Sequence, residues 1–302
     1  MDREEVSFQV AGENCAAWLY HPQGNDETSS PIVVMAHGLS GTRRDGLGAF
    51  AERFARAGFA ALVFDHRGLG DSGGEPDRFV PARQLEDWAA AIEFARSLEA
   101  IDAGRVVTFG SSMGGGNALA AAAVDRRVAA VISQVPFLDL RRQAHRNSFR
   151  VNLKILTSAL LGGYLPAVGQ PDEAAFINAP GSEAGWRHVV SIGENSKWRN
   201  RVSARWIVGR PFNPGRVASE LHCPWLVCVG DADQVARPGP AINAARRAPH
   251  GELRVYEGVD HFDIYDGAEH ETLVADQIAF LRRHLVEPGN ANLSGAVLPA
   301  RR

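Results

Sequence analysis

Short apolar, β-prone runs recur along this chain with helical patterns between them, and that alternation narrows the available folds more than any other feature. Val6–Val10, Cys15–Tyr20, Ile32–Met35, Ala60–Phe64, Arg105–Phe109, Val128–Ile132, Trp225–Val229 and Leu253–Tyr256 each read as a strand. Most are nearly continuous in apolar residues, the pattern of strands covered on both faces. Between them, Leu85, Trp88, Ile92 and Ala95 recur at helical steps, as do Val274, Ile278, Leu281 and Leu285. The expected fold is α/β, with a mostly parallel eight-stranded sheet flanked by helices on both faces.

One region breaks the rhythm. From about Phe137 to Glu220 no strand–helix alternation is visible, yet Phe149, Tyr164, Phe176, Trp186, Trp198, Trp206 and Phe212 crowd the segment. A structureless loop of that length is a poor fit to a compact domain. The expected division is therefore a core over 1–136, a helical cap over 137–220, a second part of the core over 221–287, and a flexible tail over 288–302. A chain of 302 residues suits one large domain with such an insertion.

A formal net charge of -3 offers no electrostatic reason to expect nucleic acid or an anionic membrane as a partner. The three cysteines, Cys15, Cys223 and Cys228, have neither framework nor metal-ligand spacing, which points to a reducing compartment. Cys228 lies inside an apolar run and reads as a buried, inert thiol. The charged start Met1–Glu5 has no apolar stretch after it, and no segment is long enough to span a bilayer. The expectations are a cytoplasmic protein that acts on a small molecule and needs no metal or organic cofactor. Homodimer formation stays open.

The most informative motif is Gly110-Ser111-Ser112-Met113-Gly114, a G-x-S-x-G pattern. A β-branched run (Val106, Val107, Thr108) precedes it and an Ala-rich helical stretch, Met113–Val124, follows. That strand–turn–helix setting is what a nucleophile elbow requires, and it makes Ser112 the candidate nucleophile. Glycine two residues to either side relieves the Cβ clashes of a sharp turn. The helix start beside Ser112 supplies N–H groups where an oxyanion would form. Ser111 is the rival, one residue off the tip. No Gly-Lys-Ser/Thr follows, which excludes a phosphate-binding loop.

Four further segments lie at strand ends. His37-Gly-Leu-Ser-Gly41 follows Ile32–Met35, and the Leu39 N–H there would pair with that of Met113 to form an oxyanion hole. His37 itself reads as a structural hydrogen-bonder. Asp65, His66, Arg67 and Asp71 form a charged, Gly-rich loop that reads as structural. Asp231 and Asp233 follow Trp225–Val229, where the acid of a triad belongs; Asp233 is favoured because it sits further into the loop, with Asp231 as a turn cap. His261 lies after Leu253–Tyr256 and completes the order Ser, Asp, His. Asp263 is a candidate partner beside it, whereas His145, His270 and His284 read as cap or exposed helical residues.

Taken together, these motifs resemble the α/β-hydrolase superfamily over nearly the whole core. The chain is more narrowly similar to bacterial hydrolases that carry the segments found here as Arg67–Gly74, Gln134–Asp139 and His261–Tyr265. Fungal acyl-transferring relatives of polyketide pathways resemble the same group. Arg237 before Pro238 is a departure, since a smaller residue is usual there. The resemblance implies a serine hydrolase, expected to cleave an ester or thioester through an acyl-enzyme on Ser112, and the aromatic residues of the cap suggest a small, apolar substrate. His261 would be the base and Asp233 the acid that orients it. Acyl transfer by the same triad, and a non-catalytic ligand-binding protein on this fold, remain alternatives.

Overall fold

The computed structural model describes residues 3–24, 29–140 and 147–286. The segment 288–302, expected to be a flexible tail, and His145 lie outside the described residues.

Eight strands form one sheet in the order β1-β2-β4-β3-β5-β6-β9-β10. Strand β1 (Arg3–Val10) pairs antiparallel with β2 (Glu13–Tyr20), and β2 pairs antiparallel with β4 (Ala60–Phe64). The hairpin turn is Ala11-Gly12, with φ of 49° and 83°, the left-handed pair of a tight two-residue connection. From β4 onward, through β3 (Ser30–Ala36), β5 (Ile101–Ser111), β6 (Ala130–Gln134), β9 (Trp225–Gly230) and β10 (Gly251–Tyr256), every pairing is parallel. Every residue of β3, β6 and β9 is buried, as the apolar runs led one to expect. The edge strand β1 exposes much of its length.

Helices cover both faces. On one side, α1 (Leu47–Arg56) and α7 (Gly267–Leu285) contribute Phe50, Phe54, Phe280 and Leu281 to a core with Val33, Met35 and Phe109. On the other, α2 (Pro81–Ser97), α3 (Met113–Val124) and α6 (Pro238–Arg247) pack Trp88, Leu119 and Ala244 against Ile32, Val34 and Val131.

The residues between β6 and β9 contain α4 (Phe149–Leu160), α5 (Ser182–Ser191), two short 3-10 helices and a two-stranded antiparallel pair, β7 (Tyr164–Leu165) with β8 (Val202–Ser203). Their aromatics are put to structural use. Trp186, Trp206 and Phe212 are buried in the same core as α1 and α7, and Phe176 stacks on Trp206 with ring centroids 5.5 Å apart.

The fold places its chemistry at the carboxyl ends of the parallel strands, where open α/β sheets gather ligands. His37–Leu39 follows β3, Ser112 follows β5, Asp233 follows β9 and His261 follows β10. Strands β3 and β5 are neighbours in register, Ala36 beside Gly110, so the loop after β3 lies against the turn after β5. Strands β9 and β10 are neighbours too, which brings Asp233 and His261 together.

Candidate active site

Ser112 sits at the tip of the turn between β5 and α3, with φ 57° and ψ -124°. A left-handed φ is uncommon for a residue with a side chain and persists only where its surroundings hold it. Here three backbone hydrogen bonds do so: the Ser112 N–H donates to Gln134 O at 3.0 Å, while its carbonyl accepts from Gly115 N–H at 3.0 Å and Phe137 N–H at 2.9 Å. The flanking glycines are sterically required. A Cβ on Gly110 would stand 2.0 Å from Gly114 O, and one on Gly114 would stand 2.6 Å from Ala36 O.

The other two members of the expected triad reach this tip. His261 Nε2 lies 3.2 Å from Ser112 Oγ, and His261 Nδ1 lies 2.7 Å from Asp233 Oδ2. Both His261 and Asp233 are buried. The second carboxylate oxygen, Asp233 Oδ1, accepts the N–H groups of Val235 at 2.8 Å and Ala236 at 2.7 Å, which fixes the plane of the acid. Such a relay is able to take a proton from the hydroxyl onto the imidazole while the carboxylate holds the ring's tautomer.

The rival residues go elsewhere. Asp231 Oδ1 accepts Gly258 N–H at 2.7 Å and so ties together the loops after β9 and β10. Ser111 is fully buried, its Oγ 2.6 Å from the Tyr265 hydroxyl. Asp263 does not touch the imidazole; it accepts Asp260 N–H at 2.8 Å, and Asp260 in turn accepts the N–H groups of His261 and Gln234. The loop carrying His261 is thus shaped by carboxylates that cap its own backbone.

Leu39 and Met113 both border Ser112. Among the described residues neither backbone N–H has a hydrogen-bond acceptor, so both donors remain available beside the serine. Their closeness depends on Gly38, on which a Cβ would meet Met113 N at 2.8 Å and Ser111 O at 3.1 Å. This role of Gly38 is invisible in the motif His37-Gly38 alone. Burial holds the His37 imidazole below its ordinary pKa, and its Nε2 bonds Asp45 O. Its ring stacks on Tyr265 at 5.9 Å between centroids, so it braces the loop.

The charged loop after β4 is also structural. Asp65 bonds the Arg43 guanidinium and its N–H, and Asp87 bonds both His66 and Arg67. His270, expected on an exposed helical face, is in fact buried. Its ring packs 4.4 Å from that of Phe50, and its Nδ1 lies 3.2 Å from Ile264 O.

Two cavities meet at Ser112. One is bordered by Leu39 and Met113 and by Phe137, Phe176, Asn178 and Trp206. The other is bordered by His261, Phe262, Trp186 and the His37–Gly41 loop. Phe176–Ala179 come from an irregular stretch between β6 and β9 and Trp206 from a single short 3-10 turn, Arg205–Val208, so no long periodicity announces them as pocket walls. Among the described residues no cluster of His, Cys, Asp or Glu is arranged to hold a metal ion. No described helix is long and apolar enough to cross a membrane.

Residues 27–274 match the family profile described as serine aminopeptidase, S33. The chain belongs to that family. The chain is also 42% identical over 291 residues to the quorum-quenching protein AidA of Acinetobacter baumannii, covering 92% of this chain and 94% of that one. It is 27% identical over 304 residues to the polyketide transferase af380 of Aspergillus fumigatus, covering 94% and 99%. The fold is that of the α/β hydrolase GrgF from a Penicillium species, with a TM-score of 0.79 and 23% identity over 95% of this chain and 100% of GrgF. Membership of this serine hydrolase family agrees with the fold and the resemblance read from the motifs, although a family named for one peptidase does not by itself assign a substrate.

Proposed function

We propose that this member of the S33 family is a serine esterase whose catalytic residues are Ser112, His261 and Asp233. The observation that carries the reading is the unbroken relay from Ser112 Oγ through His261 to Asp233, opening onto a cavity beside two unpaired backbone donors. Ser112 Oγ attacks the carbonyl of an ester or thioester while His261 Nε2 takes its proton. The oxygen that becomes negative is bound by the Leu39 and Met113 N–H groups. His261 then gives the proton to the leaving alcohol or thiol, and an acyl group stays on Ser112. A water molecule, deprotonated by the same imidazole, attacks that acyl group; the acid leaves and Ser112 regains its hydrogen.

Residues 137–220 act in this reading as a cap. Phe176, Asn178 and Trp206 form one wall of the larger cavity and so bear on which acyl groups enter. A small molecule is the substrate, and the compartment is the cytoplasm; three buried, unbridged cysteines are in keeping with a reducing environment. AidA is described as a quorum-quenching protein, and that role is one to assay for this chain.

Hydrolysis of short p-nitrophenyl esters and labelling by a fluorophosphonate are the direct tests. Both are expected in the native protein and absent from Ser112→Ala. Undiminished labelling of that variant sinks the assignment of the nucleophile.

A second reading is transfer of the acyl group to an acceptor entering beside His261 and Phe262, where a second cavity borders Ser112. The likeness to a polyketide transferase points the same way. Acyl products formed from added alcohols or amines, in competition with hydrolysis, would favour transfer.

A further inference from the structure

We propose that α4 (Phe149–Leu160) is a docking surface that lays the insertion between β6 and β9 on an anionic phospholipid bilayer. The inference goes beyond the esterase reading and does not depend on it. Nine large apolar residues are well exposed among the described ones, and five of them belong to α4 and the residue that ends it: Phe149, Leu153, Leu156, Leu160 and Leu161. Phe149 is 80% exposed and Leu160 64%. The first four follow one another at steps of four, three and four residues, so they form one stripe along the helix. Single apolar residues on a surface are ordinary, whereas a continuous patch marks a place of interaction.

The stripe is not exposed for want of packing. Ser148 Oγ caps the helix start by accepting Val151 N–H at 3.4 Å, and Val151 and Ala159 are buried on the inward face. Ile155 packs against Ala159, Leu165 and Ala204, in the cluster that Phe176 and Ile207 also join. The helix is therefore held from one side and apolar on two.

Charge decides what covers the outer face. Arg150 and Lys154, one turn apart, flank the stripe and are exposed, and α4 contains no acidic residue. Between Asp139 and Asp172, and again between Glu194 and Glu220, the sequence has no Asp or Glu. The second stretch supplies the 3-10 turn Arg205–Val208, which packs against α4 and adds the exposed Arg205 and Val208 to the same region. A Cβ on Gly162, just past the helix, would stand 3.8 Å from the Arg205 guanidinium. Residues 137–220 hold twelve Lys and Arg against six Asp and Glu, while the whole chain holds 32 against 35. The formal net charge of -3, which gave no reason to expect a membrane, thus conceals a positive insertion on a negative core.

A second copy pairing through the same stripe would bring like charges together, with no acid on either helix to answer them. A bilayer with anionic headgroups answers both features: acyl chains receive Phe149 and the leucines, and phosphates receive the cations. At 12 residues α4 is too short to span a bilayer, so it lies in the plane of the headgroups.

The test is flotation of the full chain with vesicles of phosphatidylcholine alone or mixed with phosphatidylglycerol. Native protein is expected to bind the mixed vesicles at least about tenfold better than the neutral ones, and to be released as salt is raised. Leu153→Ser with Leu156→Ser should abolish that binding. Arg150→Glu with Lys154→Glu should reduce it to the level of neutral vesicles. Both pairs change exposed side chains only, so melting temperatures should stay native. The cysteines are buried, so Leu153→Cys can be labelled selectively with a nitrobenzoxadiazole maleimide, whose emission should brighten and shift to the blue on mixed vesicles. Native protein that does not float, binding that neither pair weakens, or a dye unmoved when vesicles are bound overturns the proposal. So does a dimer, seen by light scattering, that Leu153→Ser with Leu156→Ser converts to monomer while vesicles capture nothing; the stripe is then an interface between copies.

Discussion

Gly38 and Met113 lie so close that a single added methyl group would bring them into collision: a Cβ on Gly38 would stand 2.8 Å from the Met113 amide nitrogen. The neighbouring atoms leave no escape, since Ser111 O is 3.1 Å away and Ser112 Cβ 3.2 Å. Gly38→Ala is therefore expected to push the His37–Leu39 loop away from the elbow and to separate the two donors proposed to bind the oxyanion. A fall in kcat of roughly a hundredfold is expected, with KM changed far less, because the lost interaction forms chiefly in the transition state. Steady-state kinetics on a short ester reads this directly, and near-native kcat would remove the oxyanion role from this loop.

The two aspartates after β9 separate cleanly by mutation. In Asp233→Asn the Oδ1 bonds to Val235 and Ala236 can persist, but the amide no longer holds the imidazole in the tautomer that accepts from Ser112. A loss of kcat on the order of a thousandfold or more is expected with the protein still folded. Asp231→Asn, which touches only Gly258 N–H at the loop junction, should stay within a few-fold of native activity. Comparable losses in the two variants would show that the acid has been misassigned.

Ser111 and Ser112 differ by one residue and face different worlds. Ser111→Ala leaves the Tyr265 hydroxyl without its 2.6 Å partner in a fully buried place, so a destabilisation of about 1–2 kcal/mol is expected. Esterase activity should survive it. Chemical denaturation and kinetics measured together distinguish this pattern from that of Ser112→Ala, which should lose activity and keep its stability.

Acid should weaken the fold through two histidines. Burial lowers the pKa of both His37 and His270 in the native protein. In the unfolded chain each titrates near about 6.5. Their contribution is thus intact above that value and is lost as pH falls from it toward the lowered native values, since the unfolded state takes up protons first. Denaturation midpoints should drop on moving from neutral to mildly acidic buffer. His270→Gln, which retains a donor toward Ile264 O, should make that drop shallower. An unchanged slope would remove His270 from the account.

Local pattern is a good guide to Ser112, because strand, turn and helix are contiguous and each is legible in its own residues. The eight strands of the sheet are legible for the same reason, although β5 extends from Ile101 to Ser111 and β6 is shifted to Ala130–Gln134. Asp233 against Asp231 is a different kind of question. Its answer lies in which carboxylate meets His261, a contact across 28 positions of chain created by the pairing of β9 with β10. His270 misled because α7 buries a broader face than its stripe of aliphatic residues suggests, and Phe50 from α1 closes over the ring. The walls contributed by Phe176–Ala179 belong to backbone without regular repeat, and Trp206 sits in a 3-10 turn of four residues, too short for spacing to show where a side chain points.

The two donors proposed for the oxyanion are main-chain N–H groups, which every residue type but proline carries. Substitution at Leu39 or Met113 alters a side chain and leaves the donor in place, so the chemistry is shielded from ordinary drift at those positions. The wall formed by Phe176, Asn178 and Trp206 has no such shield, and it lies within one continuous stretch between β6 and β9. The same division recommends transplanting the stretch whole between relatives as the route to new selectivity.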